Sequence, residues 1–101
     1  MITPETRPGK LIEDCVAWDI EATLVQFSYA PRSTFDQEAG FDVRGDFVAL
    51  WKGERGWGTH RGCVRHPKED AKSYARIFWG HYDQTEANAR ADFQARQKLL
   101  G

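Results

Sequence analysis

The residues most able to do chemistry lie in one stretch, LWKGERGWGTHRGCVRH, positions 50–66, which holds two histidines, a cysteine, two tryptophans, four glycines and four basic side chains. His60, Cys63 and His66 are spaced three apart, and imidazole and thiolate are the usual zinc ligands, with His81 and Asp83 available to complete a tetrahedral set. An extended chain works against that centre. Residues three apart on a strand point to opposite faces, and His60 and His66 would stand roughly 20 Å apart at about 3.3 Å per residue. The ligands converge only if Gly62 breaks the strand. With no CxxC half-site, metal binding ranks below the other readings, and no cofactor is expected. Nucleophilic catalysis would need Cys15 or Cys63 beside a histidine oriented by a carboxylate, as His81 and Asp83 could provide. The glycines lack the Lys-Ser/Thr ending of a phosphate-binding loop and the helix opening of a dinucleotide fingerprint. The chain therefore reads as a non-enzyme.

Trp51, Lys52, Arg55, Trp57, Arg61, Arg65 and Lys68 offer a different chemistry. Tryptophan and arginine are enriched at the centres of protein interfaces. The same mixture of stacking rings and phosphate-pairing charges serves single-stranded nucleic acid. A net charge of −1 argues against a general polyanion binder and puts a protein or nucleoprotein partner first, with RNA or single-stranded DNA as the alternative. Charge is distributed unevenly. Residues 1–43 carry eight acidic against three basic side chains, and residues 44–76 carry eight basic against four acidic.

The elements that must position these residues fit one small domain, since 101 residues with 41% hydrophobic content supply a single core. No run approaches the roughly 18 apolar residues of a membrane span, and the opening MITPETRPGK holds no apolar segment for a signal peptide, so the expected compartment is the cytoplasm. Residues 1–10, with Pro4, Pro8 and Gly9, read as a loose tail, leaving 11–101 as the domain. LIEDCVAW suits two turns of amphipathic helix or an extended lead-in. IEATLVQFSY predicts a strand over 20–29 that stops at Pro31, followed by a loop over 30–40. FDVRGDFVALWK predicts two short strands around Gly45. Gly53-Glu54-Arg55-Gly56 then predicts a hairpin that brings Trp51 and Trp57 together across it. Residues 67–81 carry both periodicities and read as a helical turn over 67–72 with a strand over 74–81. Asp83 and Glu86 have capping-box spacing before a helix that runs to Leu100 and buries Ala89, Phe93 and Leu100. The predicted fold is α+β: an antiparallel sheet of three to four strands, packed on one face by a C-terminal helix, with a short N-terminal helix if residues 11–18 coil.

The segment FWGHYDQTEANARADFQARQ, Phe78 to Gln97, joins an aromatic strand through Gly-His-Tyr-Asp to a capped, alanine-rich helix. It resembles the ends of small accessory proteins carried by bacterial phages and plasmids, anti-CRISPR proteins among them. The resemblance implies a compact, non-catalytic protein that inhibits or modulates a host protein or nucleoprotein complex.

Overall fold

The computed structural model describes residues 8–38, 41–67 and 73–100, with the side chains of 32–38, 41, 42 and 67 outside the description. Helix α1 (Pro8–Cys15) continues into a π-helical turn (Val16–Ile20), and strands β1 (Thr23–Glu38), β2 (Phe41–Gly53), β3 (Gly56–Pro67) and β4 (Tyr74–Gln84) precede helix α2 (Glu86–Leu99). The strands form one antiparallel sheet in sequential order, β1-β2-β3-β4. The α+β class and the four-strand count agree with the sequence. None of the helices among the described residues is long and apolar enough to cross a membrane.

Pro8 opens α1, where a missing N–H costs nothing. Pro8, Gly9 and Lys10, which the sequence placed in a loose tail, form the first turn of the helix, and residues 1–7 of that predicted tail lie outside the described residues. Ile12, Cys15 and Val16 share one buried stripe, of which Ile12 and Val16 pack with Phe47, Ala49, Trp51 and Val64. The opposite sheet face carries Val48 and Leu50 under Ala89 and Phe93 of α2. A helix thus covers each face of the sheet, where the sequence predicted one covered face. Alternation along β2 explains this, because Phe47-Val48-Ala49-Leu50-Trp51 is buried throughout and supplies apolar side chains to both sides.

Several predicted boundaries move. The strand expected to stop at Pro31 runs on to Glu38, and Pro31, paired with Gly45, lies on the outer strand, where proline's missing donor is tolerated. The predicted loop over 30–40 is therefore mostly strand. The two short strands around Gly45 are one strand with an irregularity between Val43 and Gly45. The helical turn predicted over 67–72 lies outside the described residues, apart from Pro67, which ends β3.

The hairpin forms at Gly53 and Gly56 as predicted, with Gly56 at φ 143°. Its register pairs Lys52 with Trp57 and Trp51 with Gly58. Trp51 and Trp57 consequently point to opposite faces, which overturns the expected cross-strand tryptophan pair. The predicted capping box is also displaced. Asp83 stays in β4 with φ 54°, and the N-cap of α2 is Thr85, whose Oγ1 accepts from the Asn88 N–H at 3.2 Å. Thr85→Ala is expected to cost about 1 kcal/mol, read as a lowered midpoint in urea denaturation.

Candidate interaction surface

Two polar clusters, one on each face, set the geometry around the former candidate residues. On the α1 face His60 is only 3% exposed, and its Nδ1 accepts from the Trp51 indole N–H at 3.0 Å while its Nε2 lies 2.8 Å from the Tyr82 hydroxyl. An indole N–H can only donate. Nδ1 is therefore the acceptor, and the neutral ring carries its hydrogen on Nε2, which donates to the Tyr82 oxygen. Burial, helped by the positive charge of Arg96, pushes the His60 pKa down to about 4. Gly58 and Gly80 make room for this arrangement: a Cβ at Gly58 would lie 2.3 Å from the Trp51 ring, and one at Gly80 would lie 2.1 Å from His60 Nε2. The glycine-rich character of the hairpin is thus partly steric.

On the α2 face Asp92 Oδ2 accepts from Thr59 Oγ1 at 2.5 Å and lies 2.7 Å from His81 Nδ1. Arg96 completes the cluster, with NH1 donating to the Trp79 carbonyl at 2.5 Å and NH2 lying 2.7 Å from His81 Nε2. Nδ1–H donates to Asp92, and the same Arg96 NH2, also 2.9 Å from Nδ1 and so nearly equidistant from the two ring nitrogens, packs against the imidazole. Burial raises the Asp92 carboxyl, but the bonds from Thr59 and His81 and the charge of Arg96 outweigh it, so its pKa falls below the ordinary value. Arg96 follows Ala89 and Phe93 at helical spacing, so the third place on the buried stripe of α2 is a guanidinium. It ties the helix to β4.

That tie bears on Trp79. The β3–β4 register breaks between the pairs His60–Gly80 and Arg61–Phe78, leaving Trp79 as the extra residue of a bulge with φ 53°. A non-glycine residue in this region carries a backbone cost of roughly 1 to 2 kcal/mol, offset here by the Arg96 bond to its carbonyl. The result is a tryptophan 67% exposed, with the Arg61 guanidinium 5.2 Å from its ring centroid and Phe78 edge-on at 5.0 Å. Beyond the end of α2 the same face continues through Arg65, paired with Tyr74, and Arg76, paired with Cys63. Tyr74 and Arg76 are exposed. Arg61, Arg65, Tyr74, Arg76, Phe78 and Trp79 thus form one arginine-aromatic surface.

The seven side chains singled out in the sequence divide among different places. Arg61 and Arg65 belong to this surface. Trp51, at 4% exposure, belongs to the core and is no part of the arginine-aromatic surface. Trp57 is half-buried at the other end of the sheet, between Lys52 at 5.8 Å and Arg90 at 5.3 Å from its ring centroid. Arg55 is exposed at the hairpin tip, and Lys68 lies outside the described residues. Tyr74, Arg76, Phe78 and Trp79 were missed because their grouping depends on the β4 register and its bulge.

The metal candidates are dispersed. His60 and Cys63 point to opposite faces, His66 Nδ1 lies 2.9 Å from the Ser73 hydroxyl, and Cys63 Sγ accepts from Arg65 Nε at 3.3 Å. Among the described residues no group of three or more histidine, cysteine or acidic side chains is placed to hold a metal ion. The predicted His81–Asp83 pairing is replaced by His81–Asp92. Cys15 donates to Asp19 at 3.3 Å, and burial followed by that carboxylate pushes its thiol up to about 12. It is a poor nucleophile at neutral pH.

No protein-family model, curated protein or solved structure matches this chain.

Proposed function

We propose that the chain is a small, non-catalytic protein-binding module whose contact surface is the arginine-aromatic face centred on Trp79. One observation carries this reading: a large, exposed tryptophan is presented by a costly backbone conformation and braced by a buried arginine. Core packing gives no return on such an arrangement, whereas a rigid aromatic anchor flanked by arginines is what an interface centre uses. Arg61, Arg65 and Arg76 favour an acidic patch on the partner. The non-catalytic reading is supported by the high pKa of Cys15, which keeps that thiol protonated at neutral pH. Together with the resemblance of residues 78–97 to phage and plasmid accessory proteins, this leads us to a module that inhibits a larger host complex by occupying its surface.

The test is affinity capture from nuclease-treated bacterial lysate at low and high salt, comparing the wild type with Trp79→Ala and Arg76→Ala. A protein retained by the wild type, and bound at least about thirtyfold more weakly by a folded Trp79→Ala variant, is the expected result. Equal capture by both removes Trp79 from the interface. A second reading rests on the Arg61–Trp79 stack, a unit that also receives an unpaired base. It predicts that, without nuclease, nucleic acid alone is captured and is lost steeply as salt rises.

A further inference from the structure

On the α1 face, at the hairpin end of the sheet, a cleft of about 330 Å³ opens beside the Trp51–His60–Tyr82 cluster. This volume is in the range of small-molecule sites. Its lining includes Trp51, Tyr82, Glu21, Glu54, Asp83 and Arg55. The Trp51 and Tyr82 rings meet at 58° with centroids 5.7 Å apart, forming a corner of two aromatic walls. His60 holds both of them in place, one bond to each, and its neutral ring puts no positive charge behind the corner.

Charge in the lining is lopsided, with three carboxylates against one guanidinium. None of the three is held in an ion pair among the described residues. The turn at Glu21 and the bulge at Asp83, both at positive φ, set these two side chains at the cleft from different elements. An anion would meet repulsion here. A bare metal ion is disfavoured because the carboxylates form no chelating group. A cation of diffuse charge and greasy surface suits both halves of the lining, since ring faces attract it and carboxylates neutralise it without having to converge on one point.

We propose that this cleft is a binding site for an alkylammonium group, received against the exposed Tyr82 ring with the buried Trp51 behind it, and neutralised by Glu21, Glu54 and Asp83. The cleft lies on the sheet face opposite Trp79, so the site does not depend on the interaction surface proposed above. The group can be carried by a free quaternary amine or by a lysine side chain, and two probes separate these sources.

The experiment is NMR titration of the full chain with choline, with Nα-acetyl-lysine amide, and with 3,3-dimethyl-1-butanol as the uncharged counterpart of choline. Saturable shifts at Trp51 and Tyr82 with at least one of the cations, and affinity about tenfold weaker or worse for the alcohol, are expected. Preference for choline assigns a small quaternary ligand, and preference for the lysine derivative assigns a protein-borne one. Tyr82→Ala is expected to weaken binding about tenfold while Tyr82→Phe retains it. Glu21→Gln with Asp83→Asn, which leaves the aromatic cluster intact, should also weaken the cation and spare the alcohol. The proposal is overturned if neither cation saturates by about 100 mM, or if the alcohol binds as well as choline.

Discussion

Replacing Phe47 with alanine is expected to remove about 3 to 5 kcal/mol of folding stability, a large share of the roughly 5 to 15 kcal/mol typical of a domain. Phe47 is fully buried on β2 and packs with Ile12 and Val16 from the N-terminal segment and with Val64 from β3. Its ring lies over Gly62, where a Cβ would come within 2.4 Å of Cζ. A glycine has no side chain to move into the vacated volume, so the cavity persists and the cost falls toward the upper end of that range. Urea denaturation followed by tryptophan fluorescence measures it, with Phe27→Ala as the comparison, because Phe27 is partly exposed on the outer strand β1. A loss below about 1.5 kcal/mol for Phe47→Ala would contradict this placement of the core.

Acid should weaken the fold through His60 well before most carboxylates titrate. The His60 pKa is about 4 in the folded chain against an ordinary 6.5, so the unfolded chain binds the extra proton first. Stability is therefore greatest above pH 6.5 and falls as pH drops toward 4, by about 2 to 3 kcal/mol at pH 4.5. Asp92 works in the same direction but lower, because its depressed pKa places its contribution below its ordinary value of 3.8. The physical event at His60 is specific. A proton on Nδ1 abolishes the acceptor for the Trp51 indole, and a charge appears at a site only 3% exposed. Urea denaturation at pH 7 and pH 4.5 in the wild type and in His60→Asn checks this. The variant is less stable at pH 7 but should lose much less between the two pH values. Parallel losses in both proteins would assign the acid sensitivity elsewhere.

Local chemistry was legible in the sequence wherever it is carried by residues close together. Gly53 and Gly56 announced the hairpin, the β-branched and aromatic run of residues 20–29 announced β1, and the C-terminal alanine-rich periodicity announced α2 with Ala89 and Phe93 inward. The α+β class followed from the order of these elements. The metal-like spacing of His60, Cys63 and His66 also carried its own counterargument, since strand alternation sends His60 and Cys63 to opposite sides.

What the chain kept hidden depends on register. One residue's difference in pairing separates Trp51 from Trp57, burying the first and leaving the second beside Lys52 and Arg90. One extra residue in β4 turns Trp79 outward, and Arg96, an apparently ordinary helix arginine, reaches across to hold it. Asp83 has the spacing of a helix cap, yet the strand runs one residue past it and Thr85 takes that place. Propensity and periodicity act over a few neighbouring residues, and at that range they determined the elements and the class of fold. Which face each side chain occupies is set by hydrogen-bond pairing between strands distant in sequence, so only the tertiary structure decided that Trp51 belongs to the core and Trp79 to the surface.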